Sequence, residues 1–266
     1  MYCSGNNLKE LLSTTERELK ILKTWFDVNK LSLNIKKTKF MVFRNRKEID
    51  KDIKLKICDS EIERVTEIKF LGVVIDDKLT WKQHVRYIKG KISKSIAILY
   101  KSRSILNYKA LHIIYCSLIL PYISYCVEVW GSTYKTTVNA IVLLQKRAIR
   151  LINKVDFYEH TDPLFKKTHV MKFKDLVYYK TMQIMYKAKS NLLPVSIQRF
   201  FSTQETKYNL RDVCKFIVPR AKKEVKRRCI SVVGVSFWND ANINLRMCST
   251  FMVFKKMVYC AIFECY

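Results

Sequence analysis

Acidic side chains are scarce in this chain: 23 Asp and Glu stand against 50 Lys and Arg, giving a net charge of +27 over 266 residues. That surplus exceeds what solubility requires and points to polyanionic partners. Carboxylates occur as an adjacent Asp-Asp pair only once, at Asp76-Asp77. The nine cysteines, at 3, 58, 116, 126, 214, 229, 248, 260 and 265, include no Cys-x-x-Cys pair, and no His stands at zinc-finger spacing from them. A zinc knuckle is thereby excluded, and the odd count argues against a disulfide framework. The cysteines read as reduced, mostly buried small hydrophobes of an intracellular protein. No basic segment followed by an apolar one comes after Met1, so a secretory signal is lacking. The expected location is intracellular, in nucleus or cytoplasm.

Long apolar runs are also missing, with one exception. Leu111 to Trp130 has about the length of a membrane span, but it contains His112, Pro121, Glu128 and several tyrosines. A proline near its middle interrupts a helix. Two buried helices divided at Leu120-Pro121 are expected, and no membrane partner. With 49% hydrophobic residues the chain can form one large core or two, and disorder throughout is excluded.

The periodicities predict an α+β start and a largely helical remainder. Asn6 or Asn7 can cap a helix with Leu8, Leu11, Leu12, Leu19, Leu22 and Trp25 or Phe26 on its apolar side, which should pack on a sheet. Leu31 to Leu33 and Phe40 to Phe43 read as two short strand pieces around a polar turn carrying Lys36, Lys37 and Lys39. Such a turn offers ammonium groups to a phosphate. Ile53 to Ile57 alternates apolar and basic residues, turning Lys54 and Lys56 outward as solvated charges or as duplex contacts. Phe70 to Ile75 reads as one apolar strand interrupted by Gly72, where a missing side chain permits close approach, and it ends in an Asp76-Asp77 turn.

Beyond residue 79, Thr80 and Gln83 form a capping-box pattern ahead of an apolar stripe of Trp81, Val85, Ile88, Ile92, Ile96 and Leu99. Lys82, Arg86, Lys89 and Lys91 lie on its opposite face, partly on the flanks. Thr136 or Thr137 opens a second helix, burying Val138, Ile141, Leu144, Ala148, Ile149 and Ile152 and leaving Lys146, Arg147 and Arg150 outside. From Lys78 to Lys154 there are fourteen basic residues and one acid, Glu128. Contacts from such residues to phosphates fix register without reading bases. A third helix is predicted from Phe173 to Lys187, with Tyr178, Tyr179 and Tyr186 as packing groups. Ser202 to Asn209 reads as a polar linker, Lys215 to Arg228 holds seven basic residues and one acid, and Ile230 to Val235 reads as a short strand.

Several of these segments, in order, resemble one family. Trp25, Asn29, Leu31, Leu33, Asn34, Lys37 and Thr38 match a Trp, an Asn and a Leu-x-Leu-Asn-x-x-Lys-Thr segment of reverse transcriptases from LINE-like, jockey-type non-LTR retrotransposons. Phe70-Leu71-Gly72 with Leu79, Trp81 and His84 resembles the family's primer-grip hairpin leading into the thumb. Leu120-Pro121-Tyr122, Tyr125, Trp130-Gly131 and Leu144 to Ile152 resemble its thumb helices. Asn191 to Pro194, Tyr208 to Arg211, Phe237-Trp238-Asn239 and Phe254-Lys255-Lys256 resemble the region after the thumb.

The resemblance implies an α+β fold: a small antiparallel palm-type sheet with one helix, then a mainly helical thumb bundle and a short mixed tail. It divides the chain into 1–79, the partial palm; 80–200, thumb and connection; and 201–266, a basic tail unit. It implies a fragment of an RNA-directed DNA polymerase that binds template-primer duplex. The family's Tyr/Phe-Ala-Asp-Asp turn and earlier acidic strand, which bridge two metal ions, have no counterpart here, and Asp76-Asp77 lies in the wrong place. The catalytic carboxylates are expected upstream of Met1, so the chain is expected to be inactive alone. No cofactor is expected within it, and Mg2+ only for the complete polymerase.

The implied partners are the RNA template, RNA-DNA or DNA duplex and the missing upstream polymerase segment, with no small-molecule cofactor. Lys37 is the candidate auxiliary general acid toward departing pyrophosphate, a position that Lys36 or Lys39 could equally occupy. Phe70, Leu71 and Gly72 are expected at the primer terminus. Lys82, Arg86, Lys89, Lys146, Arg147 and Arg150 are expected along the duplex backbone. The alternative is a free-standing basic nucleic-acid-binding relic with no enzymatic role.

Overall fold

A computed structural model describes residues 1–43, 53–57, 60–203 and 215–266. Cys58, Cys214, the Tyr208 to Arg211 motif and most of the polar stretch from Ser202 to Asn209 lie outside the described residues. The chain forms two compact units, Met1–Leu79 and Thr80–Tyr266, and its class is α+β.

In the first unit, helix α1 (Leu8–Val28) starts at Asn7, whose side chain accepts the Lys9 amide. Its buried residue is Leu19, which packs with Leu55, Ile57 and Ile62 of the sheet. Strand β1 (Lys39–Phe40) runs parallel to β3 (Ser60–Arg64), and β2 (Leu55–Ile57) runs antiparallel to it, in the order β1-β3-β2. Lys56 points outward between buried Leu55 and Ile57, as the alternation predicts.

Leu31 to Leu33 form no strand, which corrects the sequence reading. The Leu31 amide is used to end α1, donating to the Phe26 carbonyl at 2.8 Å while the Lys30 amide donates to Asp27. Lys30 takes the left-handed conformation, φ 56°, that a Schellman helix end requires. Phe70 to Ile75 is likewise not one strand but a hairpin, β4 (Glu67–Phe70) and β5 (Val73–Asp76), with Phe70 opposite Val73. Leu71 and Gly72 have φ of 45° and 86°. Positive φ at both central residues is the type I′ condition, which matches the twist of the flanking strands. Gly72 therefore serves the turn. Asp76 is buried at the end of β5 rather than solvated.

The second unit opens with α2 (Lys82–Ser102), which buries Val85, Ile88, Ile92, Ile96 and Leu99 as predicted, and also His84 and Ser95. The predicted capping box is not formed. Trp81 occupies the cap position in the left-handed region, and the Gln83 side chain accepts from Arg86 instead of reaching back. The apolar stretch from 111 to 130 is three pieces, α3 (Tyr108–Leu118), α4 (Leu120–Ser124) and α5 (Val127–Trp130), with Pro121 in the first turn of α4. No described helix is long and apolar enough to cross a membrane. Helix α6 (Lys135–Asn153) packs along α2, α7 (Asp162–Thr168) follows, and α8 (Phe173–Lys189) begins in the same core.

The later part of α8 belongs to a second core. After α9 (Val195–Gln198) and α10 (Glu224–Arg227), α11 (Ile230–Asp240), α12 (Ile243–Arg246) and α13 (Phe251–Glu264) close around it. Ile230 to Val235 is thus helical, not a strand. Ser231, Gly234, Val235 and Trp238 recur at helical spacing on the buried side. Tyr178, Tyr179 and Tyr186 pack against Phe237, Tyr259 and Phe254. Of the described cysteines only Cys248 is buried and Cys260 and Cys265 are exposed, which corrects the expectation of mostly buried thiols.

Candidate nucleic-acid interface

In the first unit, the Leu-x-Leu-Asn-x-x-Lys-Thr segment shapes a single displayed turn. The Asn34 side chain accepts the Lys37 amide at 3.1 Å, and the Thr38 hydroxyl donates to the Asn34 carbonyl at 2.9 Å. Between them, Ile35–Lys37 form one 3₁₀ turn that holds Lys36 and Lys37 in solvent. Neither has an acidic partner among the described residues. Lys39 differs: it lies in β1, and its Nζ is 2.7 Å from Glu63. Pairing with a carboxylate makes Lys39 the weakest of the three for an incoming phosphate. Its place in the strand also corrects its assignment to the turn.

At the β4–β5 hairpin, Phe70 and Leu71 are exposed, with Leu71 74% accessible. The tip presents apolar surface and the turn's backbone, which suits packing and not proton transfer. The carboxylates do not assemble a metal centre: among the described residues no three His, Cys, Asp or Glu side chains converge. Two bridged Mg2+ ions require such convergence, so the described residues do not fit that group.

In the second unit, Lys82, Arg86, Lys89, Lys91 and Lys94 are exposed on α2, on the flanks of the buried stripe and opposite it. Lys91 lies 5.7 Å from the Tyr87 ring. On α6, Arg147 is exposed and Lys146 half-buried. Arg150 is already engaged, since its Nε donates to the Glu159 carbonyl at 2.8 Å and its guanidinium sits 5.7 Å from the Phe157 ring. It organises the loop that follows, which its solvent-facing sequence position did not announce. The basic run before α11 is also partly committed. Arg228 lies 3.7 Å over the Tyr134 ring and pairs with Glu224 at 2.6 Å, and Lys226 donates to Ser231.

The basic faces rest on a polar framework that periodicity did not single out. Gln145, 1% exposed, donates to the Tyr115 hydroxyl and the Met171 carbonyl and accepts the Phe173 amide. Burial pushes the Tyr115 hydroxyl well above the ordinary phenol range, an effect opposed by the Gln145 hydrogen bond. His84 is buried edge-on against Trp130, ring centres 5.2 Å apart, and desolvation lowers its pKa to about 4. The Tyr266 hydroxyl accepts the Lys172 amide and donates to Asp175 at the start of α8. Burial, then Asp175, raises that hydroxyl's pKa.

The chain is 25% identical over 201 residues to the RNA-directed DNA polymerase from mobile element jockey of Drosophila melanogaster, a match covering 73% of this chain and 22% of that protein. It is 25% identical over 100 residues to the probable RNA-directed DNA polymerase from transposon BS of the same organism, covering 36% of this chain and 11% of that protein. Against the probable RNA-directed DNA polymerase from transposon X-element, also of Drosophila melanogaster, identity is 28% over 101 residues, covering 37% and 11% respectively. No protein-family profile and no solved structure matches the chain. The chain spans about a fifth of the length of the jockey protein it matches. Over these stretches the chain is similar to one segment of RNA-directed DNA polymerases from Drosophila mobile elements.

Proposed function

We propose that this chain is the part of an RNA-directed DNA polymerase that holds the template-primer duplex by its sugar-phosphate backbone, and that it extends no primer by itself. The observation that carries this is the exposed cationic surface of α2, built on a well-packed apolar stripe within a chain homologous to such polymerases. Cations that touch only phosphates tolerate any sequence, as copying an arbitrary template demands. On this reading Lys82, Arg86, Lys89, Lys146 and Arg147 contact the backbone, while Phe70, Leu71 and Gly72 pack against the primer end. Lys37, displayed by Asn34 and Thr38, approaches the triphosphate within a complete polymerase. There it assists departure of pyrophosphate as a proton donor.

Binding of an RNA-DNA duplex measured across a salt series tests this. The affinity should fall by about a decade or more between low and physiological salt, as expected for several phosphate contacts. Replacing Lys82, Arg86 and Lys89 together by Gln should shallow the slope. Binding that is absent, or indifferent to salt, overturns the reading.

A further inference from the structure

The loop between α6 and α7 displays two aromatic rings that the core does not use. Phe157 is 67% exposed and Tyr158 93% exposed. They occupy the two corner positions of a turn closed by the Glu159 amide donating to the Asp156 carbonyl at 3.2 Å. The rings lie edge to face, 5.4 Å apart and at 88°. The turn is pinned from α6, because Arg150 Nε donates to the Glu159 carbonyl and the Val155 amide donates to the Arg150 carbonyl. Arg147 and Arg150 lie three residues apart near the end of that helix, and exposed Lys154 caps it in the left-handed conformation, φ 55°. Asp156 and Glu159 flank the turn, leaving cations in excess.

Large rings left mostly exposed on an anchored turn, beside the cations at the end of α6, match what a single strand requires: faces for its bases and charge for its phosphates. We propose that Phe157 and Tyr158 form a stacking platform for bases of single-stranded RNA or DNA, with Arg147 and Lys154 on the adjoining phosphates. Tyr158, the more exposed, takes a base on its free face. Arg150 is the positioning residue that keeps the turn closed. This rests on the duplex-holding reading above and adds to it a place for the unpaired strand.

The test uses the full chain, a labelled single-stranded oligouridylate and an RNA-DNA duplex of equal length, at one salt concentration. The double variant Phe157→Ala, Tyr158→Ala removes only exposed side chains and should fold normally. It is expected to lose roughly tenfold or more in single-strand affinity, with duplex affinity held within about twofold, and Tyr158→Trp should retain single-strand binding. Equal single-strand binding by wild type and double variant overturns the platform. So does an equal loss for both ligands, or an effect of the double variant on self-association alone. If wild type binds the duplex and not the single strand, the platform falls and the duplex reading stands; if it binds neither, both fall.

Discussion

The side-chain carbonyl of Gln145 accepts the backbone amide of Phe173 at 2.9 Å, tying the middle of α6 to the first residue of α8. The same side chain's amide serves Tyr115 Oη and the Met171 carbonyl. Gln145→Leu fills similar volume but leaves two backbone groups and a hydroxyl without partners. Each buried orphan costs about 1–3 kcal/mol, so the three together should cost about 3 kcal/mol or more, read as a lower urea midpoint at unchanged slope. A change below about 0.5 kcal/mol would mean that water takes over these bonds.

Two glycines should respond in opposite senses to the same substitution. A Cβ at Gly131 would lie 2.5 Å from the Val127 carbonyl oxygen and 2.6 Å from Val177 Cγ2, whereas one at Gly90 meets nothing within 4 Å. Gly131→Ala forces α5 away from α8 and should cost about 2 kcal/mol or more, in the range of overpacking. Gly90→Ala, inside α2, should gain up to about 1 kcal/mol from helix propensity. Thermal melting of the two variants should move in opposite directions. Because the Val127 carbonyl cannot yield, adding Val177→Ala should restore only part of the loss.

His84 gives the second unit a pH dependence. It is 2% exposed, and its pKa is pulled down to about 4 from an ordinary 6.5 by desolvation. The unfolded chain therefore takes up this proton first as the pH falls. The stabilisation from neutral His84 is complete above pH 6.5, declines through the interval to pH 4, and is gone below it. At about 1.4 kcal/mol for each tenfold change in proton affinity, the effect is at most about 3.5 kcal/mol. Denaturant midpoints at about pH 7 and pH 5, on either side of the ordinary histidine pKa, should differ less for His84→Phe than for wild type; an equal difference would remove His84 as the cause.

The helical half of this fold was legible because its signals are long. The α2 stripe from Val85 to Leu99 and the α6 stripe from Val138 to Ile152 each repeat over about four turns, and both are buried as their spacing predicts apart from Leu144, which is half-buried beside buried Gln145. The short β elements were less legible, because one hydrogen bond decides them. Leu31 looks like a strand residue until its amide is committed to Phe26, and Leu71-Gly72 looks like mid-strand until two positive φ angles turn it. Ile230 to Val235 misled because a buried apolar run carries no visible period until Gly234 and Trp238 are placed on the same side. Gln145 and His84 sit on buried faces among apolar residues, and their polarity was a signal that a count of hydrophobic positions passes over. Phe157 and Tyr158 lie in a loop, where no periodicity states whether a ring points in or out.

The Phe237-Trp238-Asn239 segment ends in a side chain that behaves as a strand partner. Asn239 Oδ1 accepts the Phe216 amide at 3.0 Å, and its Nδ2 donates to the Phe216 carbonyl at 2.8 Å. Both backbone groups of one residue are thus held by one amide, while the Phe216 ring is buried against Trp238 and Phe201. Asn239→Asp keeps the acceptor but sets a second oxygen against the Phe216 carbonyl, so one bond survives and the other becomes a repulsion. Asn239→Ala removes both. Hydrogen exchange at the Phe216 amide separates the cases: protection should be lost in Asn239→Ala and partly kept in Asn239→Asp, with the protection of α2 unchanged in both. Retained protection in Asn239→Ala would show that the aromatic packing alone holds Phe216, and that the asparagine is dispensable to it.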